Sequence, residues 1–286
     1  MENYYLIDLS RMVYAATSVV GTMKHDTESL VRHVILNSIL RARTKHGKPK
    51  VIIACDSRKY WRKEHFKYYK GHRKHQKHAF DKEVLYKILN NIIVDLRENF
   101  RYDVITVEGA EADDVIAVLT KHLSSHANVT IGSSDNDFIQ LQKYPNVKQW
   151  NTTTQGYVEH SNPVESLIEK ICLGDAGDNI PSICNGEEWA KARAENNPTR
   201  AAPFKKSRLE EFYKYGKDAC KTDDEKRNYE RNELLISFDS IPEELENKIL
   251  EEYNREINRT KASMTKLMTY FVKHKMKTLL NSIGDF

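Results

Sequence analysis

Short apolar runs alternate with longer amphipathic stretches along the first half of the chain. Four runs have the length and the β-branched content of buried strands. These are Tyr4–Leu9, Lys50–Cys55, Asp103–Val107 and Asn128–Gly132. Between them, apolar residues at helical spacing predict helices over about residues 27–46, 80–96 and 114–125. The alternation predicts an α/β fold with a mostly parallel central sheet covered by helices.

The pattern changes near residue 160. Val147–Thr152 and Gln155–His160 are typical of a hairpin with Gly156 at or near its turn. From about Pro163 onward the chain shows no further sheet pattern and is helical and highly charged. We therefore expect an α/β core over residues 1–162 and a helical region over residues 163–286.

Composition narrows the class of protein. The chain has 286 residues, of which 40% are hydrophobic, so a sizeable core is expected. The longest apolar run, Val51–Cys55, is too short to span a bilayer, and we expect no membrane partner. The sequence shows no charged-then-apolar leader, and its four cysteines form no CxxC pair. These features favour a reducing cytoplasm.

The formal net charge of +4 conceals a local concentration of positive charge. Residues 58–78, called the basic segment below, contain nine Lys and Arg residues against one acid, a balance of +8. The rest of the chain therefore carries −4. Aromatic residues are interleaved with the bases, and Lys59, Lys63, Lys67, Lys70, Lys74 and Lys77 follow helical steps of three or four.

A helix with this pattern would place lysines on phosphates and aromatic rings against unpaired bases. The sequence thus predicts that the basic segment is a helix that binds nucleic acid. A solvated basic helix without a ligand is the alternative.

Acidic residues gather where the predicted strands end. Asp8 and Asp56 end or follow strands, and three local clusters follow further along the chain. The nine candidate carboxylates are Asp8, Asp56, Glu111, Asp113, Asp114, Asp135, Asp137, Asp175 and Asp178. A single acid here often caps the next helix, but ligands collect at the carboxyl edge of a parallel sheet, and several acids there point to a common site.

Clustered carboxylates raise one another's pKa and destabilise a fold unless a cation offsets their charge. Mg²⁺ or Mn²⁺ suits such oxygen ligands, and a pair of these ions can promote phosphoryl displacement. The sequence contains no GxxxxGK[ST], GxSxG or HExxH motif, which argues against a phosphate-binding loop, a serine nucleophile or a zinc site.

Several motifs occur in an order that resembles the 5′ nuclease (flap endonuclease) superfamily, in particular its phage ribonuclease H branch. They are LIDLS at Leu6–Ser10, YYKGHRK at Tyr68–Lys74, EADD at Glu111–Asp114, SSDNDF at Ser133–Phe138 and GDAGDNIPS at Gly174–Ser182. The resemblance covers essentially the whole chain. It implies a metal-dependent 5′→3′ exonuclease and flap endonuclease with ribonuclease H activity.

The resemblance also implies roles for individual residues. A first metal ion would be surrounded by Asp8, Asp56, Glu111, Asp113 and Asp114. A second would be served by Asp135, Asp137, Asp178 and Asp175, with Mg²⁺ as the cofactor and Mn²⁺ as a substitute. Lys70 and Arg73 would contact the scissile phosphate. The remaining nucleic-acid contacts would come from Arg58, Lys59, Arg62, Lys63, Lys67, Tyr69, Lys74 and Lys77.

The basic segment falls where the family has a helical arch, and GDAGDNIPS matches the start of its helix–three-turn–helix motif. Downstream, CNGEEWAKARAENNP departs from the family's glycine-rich hairpin, which puts the usual monovalent-ion site in doubt. Family context implies duplex or flap DNA and RNA–DNA hybrid as substrates, a single-strand-binding protein as a partner, and a bacterial host cytoplasm as location. Only seven residues precede Asp8, so a sliding-clamp contact stays open.

Two alternatives are left. A dehalogenase-type phosphatase also uses acids at strand ends, but it needs a second acid two residues after the first, and Ser10 stands there. The other is a non-catalytic, structure-specific DNA-binding protein derived from a nuclease. Such a protein would normally have lost some of these acids.

Overall fold

A six-stranded sheet forms the centre of the computed structural model, which describes residues 1–20, 27–75 and 82–286. Its strands are β1 Glu2–Asp8, β2 Lys50–Cys55, β3 Asp103–Thr106, β4 Ala127–Gly132, β5 Val147–Asn151 and β6 Gly156–Val158. They are arranged in the order β3-β2-β1-β4-β5-β6. Only β6 is antiparallel to its neighbour. The predicted α/β fold with a mostly parallel sheet is confirmed.

Helices connect and cover the strands. They are α1 Leu9–Val20, α2 Thr27–Lys45, α3 Trp61–His65, α4 Lys82–Asn99, α5 Ala112–Leu123, α6 Pro163–Leu173, α7 Glu187–Ala194, α8 Leu209–Tyr215, α9 Asp223–Ile236, α10 Glu243–Ile257, α11 Met264–Lys273 and α12 Lys277–Leu280. In the part of the chain that the structure describes, no helix combines the length and the hydropathy needed to cross a membrane.

The core lies on both faces of the sheet because successive strand residues point to opposite sides. In β1, Tyr4 and Leu6 pack against the side covered by α5 and α10. Tyr5 and Ile7 face the other side, where α1, α2, α4 and α11 pack. Both faces are buried, as the near-continuous apolar strands predict.

The region after residue 162 does not stand apart from the sheet. Its last part, from Phe238 to the end of the chain, contributes apolar residues to both faces of the sheet. Its first part, about residues 163–236, forms a third apolar cluster together with Phe66 and Tyr69 of the basic segment. The packing therefore divides the predicted helical region between two locations.

The basic segment is not the continuous helix that the lysine spacing predicts. Its described part contains only the five-residue α3 and a 3₁₀ turn over Gly71–His75. The physical reason is that Trp61, Phe66 and Tyr69 are buried, so they fix the backbone to the neighbouring elements instead of presenting rings to solvent. Lys77 lies outside the described residues.

Candidate active site

Two strand-end carboxylates begin the site. Asp8 ends β1 and its Oδ1 accepts the backbone N–H of Arg11 at 3.0 Å. Asp56 follows β2 and its Oδ1 accepts the backbone N–H of Ala112 at 2.9 Å. Asp8 is in register with Ala54 of the adjacent strand, so both acids lie at the carboxyl edge of the sheet. Each carboxylate therefore also caps a helix, a role that a single acid at a strand end often has.

Asp113, in the first turn of α5, completes a group of three carboxylates that influence one another. Burial raises the pKa of Asp8 to about 7, and the negative charge of Asp56 adds to the effect. Burial also raises the pKa of Asp113 well above its usual value, with the charge of Asp8 as the next cause. Among the described residues these three acids form no ion pair within 4 Å, so their mutual repulsion is only partly offset.

Asp114 was expected beside the metal, but the structure places it in the core behind this group. It is fully buried and accepts hydrogen bonds from the indole N–H of Trp61 at 3.1 Å and from the backbone N–H of Glu111 at 3.0 Å. Its other oxygen lies 2.7 Å from the guanidinium of Arg62. Asp114 therefore anchors the start of α5 and the basic segment to each other.

Glu111 is buried and connects the basic segment to the site. Its Oε1 lies 2.5 Å from Lys70 Nζ, and its Oε2 accepts the hydroxyl of Tyr69 at 2.8 Å. Burial opposes ionisation of this carboxyl, but the charges of Lys70 and Arg62 outweigh burial and lower its pKa. Glu111 therefore stays ionised while it positions the basic segment.

Lys70 sits between two acids. Its Nζ is 3.7 Å from Asp178 as well as 2.5 Å from Glu111, and its backbone N–H donates to the carbonyl of Asp178 at 2.8 Å. Burial would lower the pKa of Lys70, but the charges of Asp178 and Glu111 raise it instead. The ammonium group is thus held in its charged form at the edge of the site.

Asp178 also binds Arg73, whose Nη2 lies 2.7 Å from its Oδ1, and accepts the hydroxyl of Tyr69 at 2.9 Å. Tyr69 therefore bridges Glu111 and Asp178. The predicted catalytic cations Lys70 and Arg73 are brought together at this point.

The remaining acids form a second group that is held by cations. Asp135 caps the following turn through the backbone N–H of Asp137 at 3.1 Å and pairs with Arg11 at 2.5 Å. Lys170 of α6 pairs with both Asp137 and Asp175, at 2.9 Å from the latter. Burial would raise the pKa of Asp175, but the charge of Lys170 and the hydrogen bonds to Asp175 lower it.

Arg11 and Lys170 are site residues that the sequence analysis missed. Arg11 had a local signal, since it follows the strand-end Asp8 by three residues and so lies one helical turn away. Lys170 had no such signal, because its contact with Asp137 joins residues that are far apart in the chain.

The structure buries two of the residues that were predicted to contact nucleic acid. Arg62 is buried, with its guanidinium on Glu111, Asp114 and the carbonyl of Leu235. Tyr69 is buried as well, and its hydroxyl is engaged by the two acids described above. Both side chains are engaged inside the protein, where they connect the basic segment to Glu111. The other predicted contacts within the described residues are exposed at the surface; they are Arg58, Lys59, Lys63, Lys67 and Lys74.

A cleft opens beside the acids. It has a volume of about 780 Å³, and Asp56, Lys70 and Glu111 are among the residues that line it. Tyr14 of α1 and Tyr86 of α4 also line it. The cleft therefore offers carboxylates, cations and aromatic surface to one ligand.

The donor set of the first group fits a hard divalent cation. Carboxylate oxygens are the ligands that such ions prefer. The raised pKa values of Asp8 and Asp113 come first from burial and then from neighbouring carboxylates, and a bound cation would offset both effects. Across the described residues, no three acidic, His or Cys side chains are already arranged around one point as ligands. Most of the other acids are turned toward Arg or Lys.

Two family models match adjoining parts of the chain. Residues 3–170 match the 5′-3′ exonuclease N-terminal resolvase-like domain. Residues 161–286 match the T4 RNase H C-terminal domain. Together the two matches run from the start of β1 to the last residue.

Whole-chain and partial relatives agree with these models. The chain is 33% identical to ribonuclease H of Enterobacteria phage T4 over 300 aligned positions, covering all of this chain and 96% of the relative. It is 37% identical over 134 positions to flap endonuclease Xni of Shewanella halifaxensis, which covers 43% of this chain and 49% of that protein.

Solved structures share the fold. The T5 D15 flap endonuclease, crystallised as a pseudo-enzyme–product complex with DNA and metal ions, superposes with a TM-score of 0.64 at 17% identity, covering 90% of this chain and all of that one. The T5 D15 protein co-crystallised with metal ions gives a TM-score of 0.63 at 17% identity, covering 90% and 98%. With both domain models and a whole-length relative in agreement, the chain belongs to the 5′-3′ exonuclease family and is a 5′→3′ nuclease.

Proposed function

We propose that this nuclease is a Mg²⁺-dependent exonuclease and flap endonuclease that removes RNA primers and adjacent DNA during phage replication. Its substrates would be RNA–DNA hybrid, duplex DNA and flap DNA. This proposal would place the protein in the cytoplasm of a bacterial host. The phage ribonuclease H and the flap endonucleases among its relatives support these substrate classes.

One observation carries the proposal. Asp8, Asp56 and Asp113 meet at the carboxyl edge of the sheet, and the ammonium of Lys70 lies at the same edge, beside Glu111. A phosphodiester that enters the cleft would therefore meet carboxylates and a fixed cation close together. A bare carboxylate group repels phosphate, so the arrangement makes sense only when a cation stands between them.

Asp8, Asp56 and Asp113 are the residues that would hold the first metal ion, with Asp135, Asp137, Asp175 and Asp178 serving a second. Bound divalent ions supply an activated water and stabilise the oxygens of an in-line phosphoryl displacement. Glu111 is committed to Lys70 and Tyr69, so its part is to orient the cation.

Lys70 and Arg73 would act on the phosphate directly. Lys70 is preorganised by Glu111 and Asp178, so its charge faces the cleft without a large reorganisation when substrate binds. Arg73 is more exposed and can reach a phosphate while it stays beside Asp178. Both would stabilise negative charge as it develops on the phosphoryl oxygens.

The exposed lysines of the basic segment would guide the 5′ end toward the cleft. Lys59, Lys63 and Lys67 point to solvent and can neutralise phosphates without losing a buried partner. A single-strand-binding protein is the partner that replication requires on the exposed template, and a sliding-clamp contact stays open.

The test uses 5′-labelled flap, nicked and hybrid substrates with and without Mg²⁺. Wild-type protein should release short 5′-phosphorylated products only when Mg²⁺ is present. Asp113→Asn and Lys70→Ala should each lower single-turnover cleavage by at least about a hundredfold, because each removes a charge that acts in the transition state.

Glu244→Gln provides the matched control, since this exposed acid pairs with Lys248 on α10 and with no other cation of the described residues. Its cleavage rate should equal that of the wild type. Tight binding of the flap substrate without Mg²⁺-dependent cleavage would overturn the proposal in favour of a non-catalytic DNA-binding protein.

A further inference from the structure

An apolar stripe runs along the exposed face of α11. Met264, Met268 and Val272 are 39%, 52% and 59% exposed. They stand at positions i, i+4 and i+8, so they form one continuous row on the helix. Single exposed apolar residues are common on proteins, but a contiguous row on one helix face marks an interaction surface more often.

The stripe is held rigidly in this orientation. On the opposite face of α11, Leu267, Tyr270 and Phe271 are buried against the sheet side that α2 and α4 cover. The hydroxyl of Tyr270 also donates to Asp95 of α4 at 3.2 Å. Since that face fills the core, α11 cannot turn to bury the stripe.

Positive charge surrounds the stripe without any acid close to it in sequence. Residues 257–284 contain six Lys and Arg residues and no Asp or Glu. Arg259 and Lys261 pair with acids outside this stretch, such as Glu256 and Asp103. No ion pair within 4 Å joins an acid of the described residues to the other four, Lys266, Lys273, Lys275 and Lys277, which are all exposed.

The start of α11 lies away from the acids of the site. Lys261, just before α11, binds Asp103 at 2.6 Å, and Asp103 is the first residue of β3. The loop before α11 also receives the guanidinium of Arg101 on the carbonyl of Ala262. These contacts fix the start of α11 at the amino edge of the sheet, whereas the acids of the site lie at the carboxyl edge.

We propose that the α11 face docks an acidic amphipathic segment of another protein. The apolar side of such a segment would cover Met264, Met268 and Val272, and its acids would meet the unpaired lysines around the stripe. DNA fits the lysines but gains little from methionine and valine, and the start of α11 lies at the edge of the sheet opposite the acids. A second copy of the chain would place lysine against lysine.

Fluorescence anisotropy of the full-length protein with three labelled peptides tests the proposal at physiological ionic strength. The first peptide is an acidic helix with leucine and phenylalanine on one face. The second has the same composition with the apolar residues dispersed, and the third has serine in place of the apolar residues. The first should bind saturably and at least about tenfold more tightly than the other two.

Met268→Ser combined with Val272→Ser should weaken binding of the first peptide by about tenfold or more. Lys273→Glu combined with Lys277→Glu should weaken it as well and flatten its salt dependence. Val164→Ser is the matched control, because this valine is similarly exposed but lies on α6. All of these variants should cleave nicked duplex DNA at the wild-type rate.

Equal binding of the three peptides, or unchanged binding by the Met268→Ser/Val272→Ser variant, would overturn the proposal. Loss of DNA cleavage in the lysine variants would assign the surface to DNA. Concentration-dependent dimerisation that the serine variant abolishes would assign it to a second copy. Either of these outcomes also rejects the acidic partner.

Discussion

Asp8 combines a structural and a chemical role, and only the chemical role depends on its charge. As a helix cap it accepts the N–H of Arg11, which either an aspartate or an asparagine can do. As a buried acid beside Asp56 it binds a proton more tightly than an exposed aspartate, with its pKa raised from 3.8 to about 7. Its ionised form is therefore unfavourable in the folded, metal-free protein.

Asp8→Asn should stabilise the metal-free protein at pH 8. Because the folded pKa is the higher one, the stability linked to this group is fully present below about pH 4 and is lost as the pH rises through about 7. Asp8→Asn has no carboxyl to ionise, so it lacks that loss. Its unfolding free energy should therefore exceed that of the wild type by an amount that grows across this range to a few kcal/mol, at about 1.4 kcal/mol per pKa unit. Urea unfolding in EDTA at several pH values measures it.

If the unfolding free energy of Asp8→Asn fell as steeply with rising pH as that of the wild type, this expectation would be contradicted. Asp224→Asn serves as a control, because that exposed acid pairs with Arg227 on the same helix and, within residues 1–20, 27–75 and 82–286, with no other cation. Its unfolding free energy should follow the wild type across the pH range.

Lys170 is the residue that keeps the second acid group together. Lys170→Met retains much of the aliphatic stem but leaves Asp137 and Asp175 without their cation. We expect a loss of about 1–3 kcal/mol at pH 7 in metal-free buffer. Since the wild-type lysine lowers the pKa of Asp175, its stabilisation is present above pH 3.8 and fades in acid. The deficit of the variant should therefore shrink as the pH falls.

Lys206→Met is the matched control for this measurement. It removes another lysine that pairs with an acid of α6, Glu169 at 3.2 Å, but both partners are far more exposed. Exposed pairs contribute little, so its unfolding free energy should change by less than about 0.5 kcal/mol. Equal losses in the two variants would show that Lys170 has no special structural role.

At the scale of elements, the basic segment joins an exposed cationic surface to a buried aromatic anchor. Replacing Lys59, Lys63 and Lys67 by glutamine should weaken binding of flap DNA and lower the slope of log K against log salt by about 2–3, at roughly one counterion per phosphate contact. The anchor residues stay, so the fold should be unchanged. Filter binding over a range of salt concentrations measures the slope.

The matched control replaces Lys266, Lys273 and Lys277 near the α11 stripe. These three lysines are equally exposed but lie by the opposite edge of the sheet. Their removal changes the net charge by the same amount and should leave the salt slope for flap DNA unaltered. A fall of similar size in both triple variants would mean that only overall charge matters.

The sequence predicted the sheet well because its evidence is local. Each of the first four strands is a short apolar run, and the acids that end or follow them mark the carboxyl edge. The basic segment was predicted wrongly because lysine spacing alone cannot distinguish one long helix from short helices joined by turns. Which aromatic rings are buried depends on the third apolar cluster, and Phe66 and Tyr69 meet partners about a hundred residues away.

The prediction of the site was limited in the same way, because it too depended on local sequence. The strand ends brought Asp8 and Asp56 together in the prediction, but Asp114 adjoins Asp113 in the sequence and faces the core instead. Adjacent helical residues point about 100° apart, so an acidic motif does not place all its members on one side. The contacts of Lys170 join separate elements and could only be seen in the fold.

At the scale of the whole molecule, positive charge is concentrated in two separate places. The basic segment and the stretch 257–284 carry most of the excess positive charge, and they flank opposite edges of the sheet. The first meets carboxylates and a cleft, whereas the second surrounds an apolar stripe. This separation would let one surface handle nucleic acid while the other stays available to a protein partner.

The last helices should unfold together with the sheet, because they supply part of its core. Phe271 is fully buried and contacts Phe100 and Phe286, so Phe271→Ala should cost about 3–5 kcal/mol. Hydrogen exchange followed by mass spectrometry should show protection falling by the same free energy in β1 and in α11. Phe212 belongs to the third apolar cluster, so Phe212→Ala tests whether that cluster unfolds together with the sheet in the same way. If Phe271→Ala lowered protection in α11 alone, the C-terminal helices would be an independent appendage, and the sheet would not need them.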